Sequence, residues 1–299
     1  MKKILITGGS GFIASHIADQ LTKNGHDVYI LDKKYSKYIN KKQKMIVGNI
    51  DNQKLLKNIF RKIEIVYHFA AVADLNEANL DPQRTIKNNI IGTLNVLNAC
   101  VVNRVKKFIF ASSIYARSEQ GGFYSTSKLA SEMLIERFSK KYKLDFAILR
   151  FGTVYGERAN KFNTIKKYID DAIKNRKIIR NSTGNEIRSY IHVDDISKIC
   201  SDLIKKKHKN VYYNIFGPKK IFVKQLLKII KKNVSNTKTI YALKDERKYN
   251  YKRDPFTYKI RNGKNFKLKK YISLDEGISN LIKSYDPQSW TYKVKKKIR

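Results

Sequence analysis

The first half of the chain alternates between short apolar runs and longer stretches with helical periodicity. The apolar runs lie at residues 4–6, 28–31, 45–50, 63–68, 108–111 and 146–149. Each run has the length of a buried strand and is bounded by polar or turn-forming residues. Helical spacing of apolar residues occurs over residues 12–21, 55–60, 82–102 and 124–142. Strands that alternate with helices predict a doubly wound parallel sheet, with ligands at the carboxyl ends of its strands.

Beyond residue 150 this regular alternation fades. Helical patterns continue over residues 162–175, 194–206, 223–233 and 275–284, with short strands between them. We therefore predict an α/β protein in which residues 151–299 form a smaller mixed α/β substrate-binding region, partly interleaved with the first half. The basic tail at residues 293–299 is expected to be frayed.

A glycine-rich turn follows the first apolar run. Gly8, Gly9 and Gly11 interrupt that run, and Phe12 and Ile13 begin the first helical pattern. A strand, a glycine turn and a helix N-terminus together form a phosphate cradle. The amide N–H groups and the helix dipole point at the anion, and glycine lets the anion approach closely.

Asp32 ends the second apolar run, at the place where an acidic residue accepts hydrogen bonds from the adenosine ribose hydroxyls. This position favours NAD over NADP, although Lys33 and Lys34 directly after it leave NADP as an alternative. With the glycine turn, Asp32 predicts an NAD-binding Rossmann domain over residues 1–150.

The composition limits the class of protein. The 299 residues include 63 Lys and Arg against 25 Asp and Glu, which gives a net charge of +38. Such an excess can mark a nucleic-acid-binding protein, but the lysines are spread over nearly every helix, so we expect solvated surface lysines and no nucleic-acid partner. Cys100 and Cys200 lie in helical patterns and indicate a reducing compartment without disulfides. Since no apolar run has membrane-spanning length, we expect a cytoplasmic protein with no membrane partner.

Tyr124 and Lys128 are the predicted catalytic residues. They lie four residues apart, and hence on one face of a helix. An ammonium near a phenol favours the phenolate and lowers a pKa that is ordinarily about 10. Ser113, at the end of a neighbouring strand, can hold the same substrate oxygen. Tyrosine as acid/base, lysine as its tuner and serine as its partner form a proton relay for hydride transfer.

Motifs over most of the chain resemble those of the extended short-chain dehydrogenase/reductase family, and within it the NAD-dependent nucleotide-sugar epimerase/dehydratase group. They comprise Thr-Gly-Gly-Ser-Gly-Phe-Ile at 7–13, His-Phe-Ala-Ala at 68–71, Asn-Ile-Ile-Gly-Thr at 89–93, Ser-Ser at 112–113, Tyr-Ser-Thr-Ser-Lys at 124–128, Leu-Arg-Phe at 149–151, Val-Tyr-Gly at 154–156 and Arg-Ser-Tyr-Ile-His-Val-Asp-Asp at 188–195.

The resemblance implies an NAD that stays bound while a nucleotide-linked sugar is oxidised at C4. It also implies roles for single residues and a homodimer formed through the helices near 82–102 and 124–142. Arg188 would contact the substrate diphosphate, and Asn49 and Ile50 would flank the adenine. The predicted cofactor-contacting residues are Gly8, Gly11, Phe12, Ile13, Asp32, Asn49, Ile50, Phe69, Ala70, Ala71, Asn89, Tyr124 and Lys128. The sequence predicts no metal site, since His192 and the acidic residues after it are expected at a strand end and a helix cap.

The departures from the family pattern cluster around the sugar-binding region. Thr153 stands where many epimerases place an Asn against the nucleotide sugar, and Arg158 is a weaker candidate for substrate binding. Dehydratases of the group carry an Asp-Glu pair directly after the strand-end hydroxyl, and here Ile114 and Tyr115 occupy those places. Elimination of water therefore lacks its usual acid and base.

Two enzyme functions and one binding function remain open. A nucleotide-sugar 4-epimerase needs only Ser113, Tyr124, Lys128 and bound NAD, and it is the first hypothesis. A nucleotide-sugar reductase or dehydrogenase with exchangeable NAD or NADP, or a dehydratase of the same family, is the alternative. A catalytically idle Rossmann protein that binds nucleic acid through its charge is the third, and lysines without clustered aromatic residues make a poor recognition surface for it.

Overall fold

The computed structural model of the chain describes residues 1–242, 249–258 and 263–285, and its first strands follow the apolar runs of the sequence. The strands are β1 (Lys3–Thr7), β2 (Asp27–Asp32), β3 (Gln43–Val47), β4 (Ile65–His68), β5 (Lys107–Ser113), β6 (Asp145–Phe151), β7 (Thr153–Tyr155), β8 (Lys177–Arg180), β9 (Ile187–His192), β10 (Val211–Ile215), β11 (Lys220–Phe222), β12 (Lys238–Tyr241) and β13 (Lys264–Asn265). The helices are α1 (Phe12–Lys23), α2 (Gln53–Ile59), α3 (Leu75–Leu80), α4 (Pro82–Ile86), α5 (Gly92–Val102), α6 (Gly122–Tyr142), α7 (Thr164–Asn175), α8 (Val193–Asp202), α9 (Val223–Asn233) and α10 (Leu274–Lys283), with a π-helical turn at Lys87–Ile91 and a 3-10 turn at Ile114–Arg117. The tail at residues 293–299 lies outside the described residues.

A large parallel sheet organises the described part of the chain. Its eight strands lie in the order β3-β2-β1-β4-β5-β6-β10-β13. Every neighbouring pair in it is parallel. The strand order reverses between β1 and β4, so the carboxyl ends of these strands border the crevice in which doubly wound sheets bind ligands. This confirms the predicted Rossmann fold class.

The second half of the chain contributes both to this sheet and to a smaller unit. β10 pairs with β6, and β13 pairs with β10, so the large sheet ends in strands from beyond residue 150. β11, β9 and β7 form a three-stranded sheet, and β12 and β8 form a two-stranded one. Buried apolar residues of α7, α9 and α10 form a core cluster of their own, separate from the two clusters around the large sheet. The division of the chain at residue 150 stays a prediction.

Three helical regions differ from the sequence patterns. The helix α3 was not predicted. Asp74 directly precedes it and is its N-cap, because the Asp74 side chain accepts hydrogen bonds from two N–H groups of the first turn. The helix predicted over residues 82–102 contains the π-helical turn, a feature often found at functional sites. The helix predicted over residues 194–206 ends at Asp202, where the carboxylate binds His208 of the following turn.

A buried ion pair joins α6 to the two central strands β5 and β6. The carboxylate of Glu132 accepts hydrogen bonds from Nε and Nη2 of Arg150 at 2.9 and 2.6 Å. It also accepts one from Oγ of Ser112 at 2.6 Å. The side chains of Glu132 and Arg150 are fully buried. Because a bidentate pair has a fixed geometry, it sets both the distance and the rotation of α6 against the sheet.

Glu132→Ala is expected to destabilise the fold by about 3–5 kcal/mol, because it leaves the Arg150 guanidinium buried without its carboxylate. Urea unfolding measures this loss. Glu64→Ala, which removes the surface pairs of Glu64 with Lys2 and Lys106, is the matched control and should cost at most about 1 kcal/mol per pair. Equal losses in the two variants would contradict a special role for the buried pair.

Candidate active site

The glycine turn lets the backbone after β1 lie close to the backbone after β4. Gly8 has a φ of +71°, and a Cβ added to it would lie 2.6 Å from the backbone N of Ala70. Any side chain at Gly8 would therefore collide with the backbone after β4, whatever its rotamer. Gly11 is the N-cap of α1 and provides no side-chain cap, so the first-turn N–H groups of α1 are left to a ligand. The residues present thus fit the phosphates of a dinucleotide.

The turn borders a cleft of about 460 Å3, which we call the large cleft. Its size is that of a small-molecule site. The predicted cofactor residues that line it are Gly8, Gly11, Phe12, Ile13, Asp32, Ile50, Phe69, Ala70 and Ala71. Arg84, Asn88, Asn160 and Phe162 also line it, and the sequence singled out none of them because they lie in loops and helices that meet the cleft only through folding.

Asp32 lies at the end of β2, where the sequence predicted a ribose-binding carboxylate. Its Oδ2 accepts a hydrogen bond from the backbone N–H of Ser10 at 3.0 Å, and its Oδ1 accepts one from the backbone N–H of Lys34 at 3.3 Å. These bonds tie the carboxylate to the glycine turn while it lines the large cleft. Lys33 also lines this part of the cleft, and its ammonium donates to Oδ1 of Asn88 at 2.9 Å.

Asn49 and Asn89, predicted near the cofactor, bind protein groups. Asn49 Nδ2 donates to the carboxylate of Asp51 at 3.2 Å. Asn89 is buried, and its amide both accepts from the N–H of Val72 at 2.7 Å and donates to the Val72 carbonyl at 3.1 Å. Since Val72 lines the large cleft, Asn89 fixes a wall of the cleft from behind. Direct contact of either asparagine with a cofactor stays a prediction.

Tyr124 and Lys128 lie one turn apart on α6, both buried. The Lys128 ammonium donates to the carbonyl of Ala111 at 2.9 Å and lies 5.8 Å from the centre of the Tyr124 ring. Burial raises the pKa of Tyr124 to about 12, against a hydrogen bond with Ser113 that lowers it. The sequence predicted a lowered pKa for this phenol. The structure shows a raised one, because burial outweighs the neighbouring groups.

Burial also lowers the pKa of Lys128 to about 8. A buried ammonium is costly, and its hydrogen bond to Ala111 and the nearby Glu132 carboxylate limit this cost. Lys128 therefore remains mostly protonated at neutral pH. The sequence predicted such an ammonium close to the Tyr124 ring.

Ser113, Thr153 and Arg188 meet in a second cavity of about 170 Å3, which we call the small pocket. Tyr124 is buried behind the walls of the two cavities and lines neither of them. Its ring packs in one cluster with Val72 of the large cleft and Tyr115 of the small pocket. The predicted catalytic tyrosine therefore packs against a wall residue of each cavity, and its role stays a prediction.

Arg188 presents its guanidinium beside Tyr251 in the wall of the small pocket. The guanidinium lies 4.0 Å from the centre of the Tyr251 ring, and it donates to the Tyr251 carbonyl at 2.7 Å and to the Ile187 carbonyl at 2.8 Å. In the described part of the chain no carboxylate forms an ion pair with it. The charge of Arg188 is thus available to an anionic ligand.

Arg158 points away from this pocket. Its guanidinium forms an ion pair with Asp19 of α1 at 2.7 Å and lies 4.7 Å from the centre of the Tyr38 ring. The structure therefore brings Ser113, Thr153 and Arg188 together but leaves Arg158 out of their pocket, and a substrate contact from Arg158 finds no support in this geometry. Nothing in the sequence next to the Val-Tyr-Gly motif indicated that the Arg158 side chain would turn toward Asp19.

Several residues that the sequence did not predict complete the small pocket. Tyr115, Tyr190 and Tyr251 form its aromatic walls, and Arg180 and Asn250 add polar groups. Asn250 accepts a hydrogen bond from the Tyr115 hydroxyl at 3.1 Å. Tyr115 and Tyr190 had a sequence signal, since Tyr115 occupies the place of a dehydratase carboxylate and Tyr190 lies in the family motif at 188–195.

The structure bears on membrane and metal binding only within the described residues. There, every helix is too short or too polar to cross a bilayer. In the same residues, the His, Cys, Asp and Glu side chains form no cluster of three or more that could hold a metal ion.

A buried histidine links three elements below the glycine turn. His68 of β4 binds the hydroxyl of Thr7 in β1 at 2.6 Å and the hydroxyl of Thr93 in α5 at 2.9 Å. Burial lowers the pKa of His68 to about 3, so the ring is neutral at physiological pH. A neutral imidazole can accept one hydrogen bond and donate the other, which suits two hydroxyl partners.

The neutral state of His68 predicts a pH-dependent stability. The unfolded chain takes up a proton on this ring near pH 6.5, whereas the folded chain does so only near pH 3. The contribution of His68 to the free energy of unfolding is therefore complete above pH 6.5. It declines as the pH falls toward 3, by about 1.4 kcal/mol per pH unit. Between pH 7 and pH 5, the free energy of unfolding of the wild type, measured with urea, should fall by roughly 2 kcal/mol more than that of His68→Gln. Parallel losses would show that His68 does not cause the effect.

Comparisons with known proteins bear on this site. The NAD dependent epimerase/dehydratase family model matches residues 4–216. A Methanocaldococcus jannaschii protein proposed to be a UDP-glucose 4-epimerase is 30% identical over 304 residues, which cover 93% of this chain and 97% of the relative. A dTDP-D-glucose 4,6-dehydratase of Bos taurus is 29% identical over 95% of this chain and 88% of its own length.

A solved structure is also similar to this chain. The UDP-glucose 4-epimerase of Thermotoga maritima, crystallised with UDP-glucose, superimposes with a TM-score of 0.81 and 26% identity, over 94% of this chain and 97% of that chain. The family is NAD dependent, which confirms the predicted cofactor. Because the family model matches most of this chain, the chain belongs to the NAD-dependent epimerase/dehydratase family of enzymes.

Proposed function

We propose that this protein is a nucleotide-sugar 4-epimerase that acts through a transient 4-keto sugar. The position of Tyr124 carries the proposal. Its phenol interacts with Ser113, and its ring packs with Val72 of the large cleft and Tyr115 of the small pocket, with Lys128 one turn further along α6. The walls of the small pocket next to Ser113 are formed by Ile114 and Tyr115, which replace the Asp-Glu pair that dehydratases of the group use for elimination.

The residues of the chain divide the reaction among themselves. The Tyr124 oxygen accepts the proton of the C4 hydroxyl and later returns it to the C4 oxygen of the inverted sugar. Ser113 hydrogen-bonds the same sugar oxygen and holds it beside the phenol. Lys128 keeps a positive charge near the phenol and thus stabilises its ionised form. NAD, when bound, supplies the hydride acceptor and returns the hydride, so no net redox change occurs.

A reductase or dehydrogenase with exchangeable cofactor is the second candidate. The positively charged Lys33 and Arg84 both line the large cleft, in the region of Asp32. Arg84 is paired with Glu77 at 2.9 Å, so part of its charge is already balanced. These cations favour a cofactor with an additional phosphate, whereas the Asp32 carboxylate disfavours it.

The first test separates the two candidates. The protein is denatured, and the supernatant is assayed for NAD, NADH and NADP. Native protein is then incubated with UDP-glucose, UDP-galactose and their N-acetyl forms, and the C4 configuration is followed by NMR. The proposal expects co-purified NAD and inversion at C4 of at least one of these sugars without accumulation of NADH. Stoichiometric consumption of added NAD or NADPH would support the second candidate.

Tyr124→Phe tests the proposed acid/base directly. Inversion at C4 is expected to slow by roughly a thousandfold, the scale of general acid–base catalysis, while bound NAD is retained. Tyr142→Phe on the same helix is the matched control, because the Tyr142 side chain is 44% exposed. Its rate should equal that of the wild type. A Tyr124→Phe variant with more than a tenth of wild-type activity would assign proton transfer to another group.

We also propose a homodimer through the helices near residues 82–102 and 124–142. Large apolar side chains of this region are exposed to solvent, among them Ile86, Ile91, Val102, Phe123 and Met133. Exposed apolar patches of this kind mark association surfaces.

Substitution of this surface tests the dimer. Wild-type protein should elute at twice the mass of the chain in light scattering coupled to size exclusion, and the double variant Ile91→Glu, Met133→Glu at the mass of one chain. Ile240→Glu, at an exposed apolar position of β12, is the control and should leave the mass unchanged. A monomeric wild type would refute the dimer.

A cytoplasmic location and the lack of a nucleic-acid partner remain part of this proposal. In the described structure Cys100 and Cys200 are buried free thiols, which suits a reducing compartment. The large positive charge is then a surface property that attracts an anionic nucleotide substrate.

A further inference from the structure

The two-stranded sheet of β8 and β12 has an apolar pair on its outer face. The strands are parallel, and their register places Ile240 opposite Ile179. Lys238 lies opposite Lys177, two residues earlier in each strand. These four residues are exposed, whereas Ile178 points into the core cluster of the second half. Ile179 is 46% exposed and Ile240 is 44% exposed. Two neighbouring isoleucines on the surface favour contact with another apolar phase, because their hydration is unfavourable.

Two aromatic side chains extend this surface toward α9. Tyr241 follows Ile240 in β12, and Phe222 directly precedes α9; both are exposed. A Cβ added to Gly184 would lie 2.9 Å from the Tyr241 ring and 3.3 Å from the Cβ of Lys224, so these two side chains are neighbours. The Lys224 ammonium lies 5.1 Å from the centre of the Phe222 ring. The end of β12 and the start of α9 therefore form one continuous surface.

The helix α9 adds a row of lysines to this surface. Lys224, Lys228 and Lys231 are spaced for one helical face, and all three are exposed. The opposite face of α9 is buried in the core cluster of the second half. Because α9 begins beside the end of β12 and leads back to the start of β12 through a short turn, the row runs along the sheet. We call the exposed residues of β8, β12 and α9, together with Phe222, the basic patch.

The positive charge of the basic patch is not balanced by nearby carboxylates. Residues 216–242 include seven lysines and no Asp or Glu. Within the described part of the chain, none of these seven lysines forms an ion pair. Of the packed neighbours, α7 contains three lysines and two aspartates, and α10 contains two acidic residues and one lysine. They leave the sign of the charge unchanged, so the patch attracts anions.

We propose that the basic patch binds the surface of a membrane that contains anionic phospholipids. The lysines interact with the lipid phosphates, and the isoleucines and aromatic rings lie at the boundary between headgroups and acyl chains. Apolar side chains flanked by lysines are the arrangement of proteins that bind in the membrane interface. Lysine suits this position because its stem covers apolar surface while its ammonium reaches the headgroups. A nucleic acid is less favoured, since isoleucines cannot stack on bases as aromatic rings do.

This contact differs from a membrane span. The expectation of no membrane partner rested on the lack of a spanning apolar run, and binding at the surface requires none. The contact agrees with the cytoplasmic location proposed above, since the cytoplasmic leaflet carries the anionic lipids. The inference goes beyond the proposed reaction and is independent of it, because the residues of the basic patch line neither the large cleft nor the small pocket.

Sedimentation with lipid vesicles tests the proposal. The full chain is mixed with vesicles of phosphatidylcholine alone or of phosphatidylcholine with about 30% phosphatidylserine. The wild type is expected to bind the anionic vesicles at least about tenfold more tightly than the neutral ones. Its binding should weaken as the salt concentration rises, since salt screens the attraction. Equal binding to both compositions, or no binding to either, would overturn the proposal.

Two variants separate the charged from the apolar contact. The triple variant Lys224→Gln, Lys228→Gln, Lys231→Gln should bind the anionic vesicles at least about tenfold more weakly than the wild type, because each lysine near an anionic surface contributes to binding. The double variant Ile179→Ser, Ile240→Ser should also bind roughly tenfold more weakly, because it removes the apolar side chains that the membrane covers.

Matched controls remove the same groups elsewhere on the surface. Lys41→Gln, Lys54→Gln, Lys57→Gln removes three charges from exposed positions, and Val47→Ser, Leu80→Ser removes two exposed apolar side chains. Each control should bind within about threefold of the wild type, because the contact is confined to one surface. If the lysine control loses as much affinity as the triple variant of α9, the total charge of the chain is responsible and the basic patch is not a site.

A fluorescent label at position 240 reports the depth of the contact. Ile240→Cys is labelled with an environment-sensitive dye, and Lys54→Cys is the control; Cys100 and Cys200 are buried. Anionic vesicles should shift the emission of the label at position 240 to shorter wavelength and leave that at position 54 unchanged. No shift at position 240 would overturn the proposal.

Single-stranded RNA tests the other anionic partner. The proposal expects the wild type to bind a short RNA more weakly than the anionic vesicles. If the RNA binds more tightly, and Ile179→Ser, Ile240→Ser binds it as well as the wild type does, the basic patch is a nucleic-acid surface and the proposal is wrong.

Discussion

The buried ion pair between Glu132 and Arg150 is the constraint on which the active site depends. It joins the catalytic helix α6 to β5 and β6, and the same carboxylate also binds Ser112. Ser112 precedes Ser113, and Lys128 lies one helical turn before Glu132. One carboxylate therefore fixes the helix that carries Tyr124 and Lys128 and the strand end that carries Ser113. Two charges are costly to bury, and the benefit here is that a proton relay is held in one geometry.

Burial decides the protonation states around this relay. It raises the pKa of Tyr124 and lowers those of Lys128 and His68. The protein alone thus keeps the phenol protonated, and in the proposed reaction an oxidised nicotinamide, when bound, would supply a positive charge that favours its ionised form. This couples proton transfer to the presence of the oxidised cofactor. It also explains why a lysine four residues away on the helix was insufficient grounds for predicting a low pKa.

The sequence predicted those parts of the site that depend on local backbone geometry. The glycine turn, the carboxylate of Asp32 and the pair Tyr124 and Lys128 are each defined by a strand end or a helical turn, and their periodicity is visible in one chain. Arg158 and Arg180 show the limit. Their directions depend on partners distant in sequence or in another element, Asp19 for one and Tyr168 and Glu186 for the other. A hydrophobic pattern contains no information about such partners.

The same limit applies to the choice of substrate. Three residues that depart from the family pattern, Ile114, Tyr115 and Thr153, line the small pocket, and so does Arg180. The large cleft, in contrast, is built around the glycine turn, Asp32 and the small residues after β4, which follow the family pattern. In the proposed function, cofactor binding and proton transfer therefore depend on one group of residues, and substrate recognition on another. Part of the small pocket, including Thr164, Tyr190 and Val223, is formed by elements that pack on a separate core cluster, so this part of its wall does not depend on the packing of α6 against the large sheet.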